Sequence, residues 1–119
     1  MSDMIHTEVC EISGEIVSAC SIYDENGIAF VSVDTIESHR RSGHAGTCVK
    51  RALEWWDTKS GRTDDLNWFC ARENVASRRL AEKSGFAYVG DLESNPRFVH
   101  FVYNSFCDWA ERRQAWAIT

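Results

Sequence analysis

The stretch Val31–Trp56, VSVDTIESHRRSGHAGTCVKRALEWW, constrains this chain more than any other. It opens with the two-residue alternation of a β-strand and ends with a helical period, in which Val49, Leu53 and Trp56 fall at i, i+4 and i+7. Ala52 and Cys48 join that apolar side, while Lys50, Arg51, Glu54 and Asp57 take the other. Between strand and helix lies a turn holding Arg40, Arg41, Gly43 and Gly46, and the helix is expected to start near Ala45 or Gly46. The first N–H groups of a helix have no partner within it, and the dipole is positive at that end. Glycine lets an anion approach the main chain closely. Arginine adds fixed charge and forked donors. The turn therefore reads as a cradle for the pyrophosphate of a nucleotide-like cofactor. On spacing alone, ordinary turn glycines and a solvated arginine pair fit equally well.

The flanking segments supply a sheet. Residues 1–6 read as a loose terminus. Thr7–Ile12, Glu15–Tyr23 and Ile28–Thr35 read as three antiparallel strands. Ser13-Gly14 and Asn26-Gly27 supply the tight turns between them, the latter being the pair favoured in type I′ hairpins. After the central helix, Leu66–Ala71 is a strand, so strand, helix and strand form a right-handed parallel crossover. Asn74 reads as the N-cap of a second helix with Ser77 at its third position, Ala76 and Leu80 inward, and Gly85 beyond its end. Phe86–Leu92 and Phe98–Tyr103 are two more strands, with Phe98, His100 and Val102 on one face of the last. Ser105–Ile118 closes the chain as a helix lined by Phe106, Trp109, Ala110 and Trp116. The fold class is α+β: a mixed, mostly antiparallel sheet with one parallel pair.

Size and composition set limits. At 119 residues the chain makes one domain, and its 44% hydrophobic content argues against disorder. No apolar run reaches membrane-spanning length and no export signal is evident, so a cytoplasmic protein is expected. A net charge of −5 argues against nucleic acid as the main partner. The five cysteines form no CxxC pair, so buried reduced thiols are expected rather than disulfides or a metal site. Trp55 and Trp56 are read as core and core-edge residues, and His39, His44 and His100 as exposed or half-buried polar residues.

Two motifs together resemble the GNAT N-acetyltransferase superfamily. The first is Arg40-Arg41-Ser42-Gly43-His44-Ala45, after a strand and before a helix; the second is Asn74, a spaced helix, then Gly85-Phe86. Each is weak alone, but the order and placement of both are specific. The likeness covers roughly residues 12 to 90 and looks like the branch that includes antibiotic self-resistance and uncharacterised bacterial acetyltransferases. It implies a GNAT-like fold using acetyl-CoA as co-substrate and no metal. Val33 and Thr35 would hold the pantetheine arm through the main chain, like an added strand. Arg40, Arg41, Ser42, Gly43, His44, Ala45, Gly46 and Thr47 would hold the pyrophosphate, and Asn74 would reach the pantetheine or acetyl end. A small-molecule or peptide amine would be the acceptor.

The chain also departs from that pattern. Where many members carry a Tyr that protonates the leaving thiolate, it has Ala81; Ser77 matches a Ser found in relatives lacking that Tyr. Where some place a catalytic Glu on the strand before the motif, it has Ala29 and Phe30, and Asp34 is the strand's acid. Ser77 and Asp34 are thus the catalytic candidates. The family's usual first strand and two following helices have no counterpart before Thr7. Such a sheet exposes an edge, so a homo-oligomer, a dimer first, is expected. The alternatives are a catalytically silent acyl-CoA-binding or protein-interaction module, or an interaction protein that reuses the fold without CoA.

Overall fold

A computed structural model describes residues 2–40 and 42–105. The elements are β1 (Asp3–Ile12), β2 (Glu15–Glu25), β3 (Ile28–Thr35), a 3₁₀ turn (Glu37–His39), α1 (His44–Lys59), β4 (Leu66–Ala71), α2 (Val75–Lys83), β5 (Ala87–Asp91) and β6 (Phe98–Tyr103). The expected C-terminal helix, with Phe106, Trp109, Ala110 and Trp116, lies outside the described residues, as do Arg41 and Cys107.

Six strands form a sheet in the order β1-β2-β3-β4-β6-β5. Neighbours pair antiparallel except β3 and β4, which are parallel. The β2–β3 turn follows from its residues: Asn26 (φ 54°) and Gly27 (φ 85°) supply the two positive angles of a type I′ turn. Asp24 Oδ1 accepts the Gly27 N–H at 3.1 Å.

Both helices cover one face of the sheet. The core joins Cys20, Ile22, Ala29 and Val31 of β2 and β3 to Leu66, Trp68 and Cys70 of β4 and to Val99 and Phe101 of β6. Cys48, Val49, Ala52, Leu53 and Trp56 of α1 and Ala81 of α2 close over them. Arg62 places its guanidinium 5.1 Å from the Trp56 ring centroid and reaches Asp24 at 2.6 Å and Asp64 at 2.7 Å. That cluster ties the loop before β4 to the β2–β3 hairpin. The hydrogen bonds from Arg62 and from the Gly27 amide hold the Asp24 carboxyl below its ordinary pKa.

Two expectations need correction. Residues 3–6 are strand, not loose terminus: β1 begins at Asp3, and the His6 ring stacks on Trp55 at 4.1 Å and 5°. They pair with residues 22–24 at the far end of β2, distant in sequence, so no signal within residues 1–6 shows it. Ala76 is exposed rather than inward. The inner side of α2 carries half-buried Ser77, Leu80 and Ser84 and buried Ala81, at i, i+3, i+4 and i+7. Ser77 faces inward because the Trp68 indole N–H donates to its hydroxyl. The thiols follow expectation: Cys20, Cys48 and Cys70 are buried and free, and Cys10 is half-buried and free. Burial pushes the Cys20 thiol up to about 12, which keeps it protonated and unreactive. Among the described residues no helix is long and apolar enough to cross a membrane.

Trp56, 2% exposed, is the largest fully buried side chain. Trp56→Ala is expected to lower unfolding stability by about 3–5 kcal/mol, measured by urea titration of the full chain.

Candidate active site at the forked strand pair

The parallel pairing of β3 and β4 covers only Ala29 with Leu66 and Phe30 with Asn67. Beyond it the strands part. Val31–Thr35 continue their ladder with β2, and Trp68–Ala71 continue theirs with β6. Each strand is held by its outer neighbour, so the inner edges stand apart as a fork. The Ile36 N–H bonds to the Val17 carbonyl at 3.0 Å, which turns residue 36 toward β2. Main-chain groups alternate along a strand, so those of Thr35 and Val33 face the fork. The Thr35 carbonyl accepts from Arg40 Nε at 3.3 Å.

The N-terminus of α1 follows directly. Gly43 precedes the helix in the left-handed region, φ +82°, with no side-chain cap. A Cβ there would meet nothing within 4 Å, so the space before the helix is open. The first intrahelical bond runs from Thr47 N–H to the Gly43 carbonyl at 3.1 Å. The N–H groups of His44, Ala45 and Gly46 therefore come before the helical ladder begins. Ser42, Gly43 and Thr47 are exposed; His44, Ala45 and Gly46 are half-buried. The His44 ring turns toward β1, with Nδ1 3.7 Å from Cys10 Sγ. Arg41 is outside the described residues.

The second helix begins beyond the free end of β4. Asn74 Oδ1 accepts the Ser77 N–H at 3.1 Å, the cap expected of Asn. Ser77 Oγ accepts from Trp68 Nε1 at 3.0 Å, so the hydroxyl proton stays available to another acceptor. Ala81 is fully buried. Asp34 is exposed and lies on the opposite face of the sheet, beside a depression of about 190 Å³ that Ile16, Ala19 and Ile36 help to line. The two catalytic candidates thus flank the sheet from opposite sides, with the fork opening between the two faces.

At the branch point stand Asn67, which nothing in the sequence singled out, and His100, which read there only as a polar residue. Asn67, in the last β4 pair, donates through Nδ2 to the Ala29 carbonyl at 2.9 Å. Its Oδ1 lies 2.7 Å from His100 Nε2, and the His100 ring stacks on Phe69 at 4.7 Å. Burial lowers the His100 pKa from its ordinary value, against the opposing influence of Asp65. The available signal was one polar residue inside each of two apolar strands, LNWFCA and FVHFVY. Among the described residues no three His, Cys, Asp or Glu side chains converge on a metal site.

Ser77→Ala strips the Trp68 indole of its acceptor and is expected to cost about 1–3 kcal/mol in unfolding stability. Ser77→Thr, which keeps the hydroxyl, should cost less; chemical denaturation of both variants checks this.

Residues 4–87 match the family described as the acetyltransferase (GNAT) domain. The uncharacterized N-acetyltransferase YjdG of Bacillus subtilis (strain 168) is 25% identical over 80 residues, covering 67% of this chain and 45% of that protein. The fold is similar to that of yncA of Salmonella typhimurium, determined with its cofactor acetyl-CoA. The TM-score is 0.73 at 16% identity, over 86% of this chain and 65% of that one. It is similar also to the spermidine N-acetyltransferase SpeG F149A mutant of Vibrio cholerae, with a TM-score of 0.66 at 20% identity, over 82% of this chain and 64% of that one. The chain therefore spans less than half the length of the curated relative it matches. With its fork, its uncapped α1 N-terminus and a family match over residues 4–87 of 119, the chain belongs to the GNAT acetyltransferase family.

Proposed function

We propose that this chain transfers an acetyl group from acetyl-CoA to an amine. The observation that carries this reading is the continuity of the fork with α1. An open strand edge at Val33 and Thr35 leads within one short turn to a helix N-terminus that no side chain caps. An extended arm carrying amides matches the edge, and a pyrophosphate matches the helix end. The residues present fit that cofactor. Ser42, Gly43, His44, Ala45, Gly46 and Thr47 offer main-chain N–H groups or space, and Arg40 adds positive charge beside Thr35. Arg41 is assigned to the same cradle by its place in the motif. Asn74 stands beyond the free end of β4, where the pantetheine or acetyl end would lie.

The chemistry asks for four things. A neutral amine must reach the acetyl carbonyl, and the fork opens a path from the face opposite the helices. A main-chain N–H on the free β3 edge offers a donor to the charge that develops on the carbonyl oxygen. The leaving thiolate needs a proton, and Ser77 supplies a hydroxyl whose oxygen is already engaged by Trp68. The amine proton needs a base on the acceptor face, where the exposed Asp34 carboxylate also draws the cationic form of the amine.

The remaining readings follow from composition and edges. The acceptor is a small-molecule or peptide amine, consistent with a net charge of −5. The protein acts in the cytoplasm, without nucleic acid or membrane partners. A homodimer fits β1, which ends the sheet and exposes Met4 at 59% and Ile5, Val9 and Ile12 at 36–37%. Light scattering is expected to give twice the chain mass; a monomer mass contradicts the dimer.

Acetyl-CoA is expected to raise the melting temperature of the full chain, whereas inorganic phosphate at the same concentration does not. Thr47→Glu, which adds negative charge to the first turn of α1 without straining φ, should abolish that shift. Free thiol should then appear when a panel of amines is offered. Absence of any acetyl-CoA shift contradicts the proposal, and binding without thiol release selects the silent acyl-CoA-binding module instead.

A further inference from the structure

The hydrogen-bond chain at the branch point assigns a proton. The Ala29 carbonyl can only accept, so the Asn67 atom facing it at 2.9 Å is the amide nitrogen. The other amide atom is then Oδ1, which also only accepts, so the His100 nitrogen 2.7 Å away must carry the hydrogen. In the neutral ring that leaves the lone pair on Nδ1. Among the described residues nothing donates to Nδ1.

The ring is well placed to use that lone pair. Asn67 is the last β4 residue paired with β3, and His100 reaches it from β6, so the imidazole lies beside the point where the fork opens. It sits on the face opposite α1 and α2, since Trp68 and Phe101 face the helices and Asn67, Phe69 and His100 alternate with them. Phe30 and Asp34 of β3 lie on that same face, as does a depression of about 370 Å³ bordered by Ile28, Phe30 and Phe69. Stacking on Phe69 fixes the ring plane.

We propose that His100 is the general base of this transferase, taking the proton of the acceptor amine at Nδ1 while Asn67, as a positioning residue, holds the hydrogen on Nε2. This rests on the acetyltransferase reading above. Burial keeps the ring neutral. The charged group that opposes this is Asp65, just ahead of β4. On β5 the paired residue is Gly90, which brings no charge, and the next, Asp91, is tied to Arg72 at 2.6 Å. Phe98 and Val102, the neighbours on the same face of β6, are apolar. A protonated ring cannot accept, so the rate falls as pH drops through a pKa below the ordinary histidine value.

Two measurements on the full chain test this. Imidazole ¹⁵N spectra, with His100→Gln identifying the signal, should show a neutral ring at pH 7 with its proton on Nε2. In Asn67→Leu the proton population should move toward Nδ1. A ring protonated at pH 7, or one carrying its proton on Nδ1 in the native chain, overturns the proposal. The second measurement is thiol release from acetyl-CoA with an arylamine, a polyamine and a peptide N-terminus as acceptors. For each amine the native chain accepts, His100→Gln should slow turnover about 10²–10⁴-fold. It should also remove the acid limb of the pH profile and leave the KM for acetyl-CoA unchanged. Turnover equal to the native chain overturns the assignment. A native chain that binds no acetyl-CoA refutes the transferase reading instead, and the ring spectra still decide the state of His100.

Discussion

The parting of β3 from β4 after two residue pairs is the constraint on which the rest of this molecule depends. Two adjacent parallel strands would ordinarily zip together, since each unpaired main-chain group forgoes a hydrogen bond. Here each strand is held more extensively by its outer neighbour. The β2–β3 ladder runs from Ser18–Thr35 to Glu25–Ile28, and the β4–β6 ladder from Leu66–Tyr103 to Ala71–Phe98. Both are antiparallel ladders of the one twisted sheet, and the fork is where they part. Asn67 braces the branch by donating to the Ala29 carbonyl from within β4.

That separation arranges the chemistry. The open edge of β3 ends beside Arg40, and the chain then turns through Gly43 into α1. The left-handed φ of Gly43 aims the helix start without placing a side chain before it. A forked pair with a helix N-terminus at its mouth can accept a long ligand whose extended arm and anionic end need different partners. Among the described residues α1 and α2 occupy one face, and in the proposed reaction the amine approaches from the other. Ser77 lies on the first face, and Asp34 and His100 lie on the second.

Much of this was legible in the sequence because it is local. The Asn26-Gly27 turn, the Asn74 cap and the period of α1 each depend on residues within a few positions of one another. The fold class followed from two such motifs in the right order, and the same residues carry the proposed cradle. What escaped was non-local. Residues 3–6 are strand because they pair with residues 22–24 of β2, with His6 stacked on Trp55, and Ala76 faces outward because Trp68 draws Ser77 inward. His100 looked like an incidental polar residue until β4 and β6 placed it beside Asn67. A hydrogen bond between strands of distant sequence has no period to reveal it.

The proposed function requires one contact: an extended, anionic ligand seated in the fork and on the start of α1. Backbone amide chemical shifts of the full chain, recorded with and without acetyl-CoA, test it most directly. The expected result is a contiguous set of large changes at Val33–Thr35, Ser42–Thr47 and Asn74–Ser77, with β1 and β5 unaffected. Changes confined to β1 and β5, or none at all, would contradict the account.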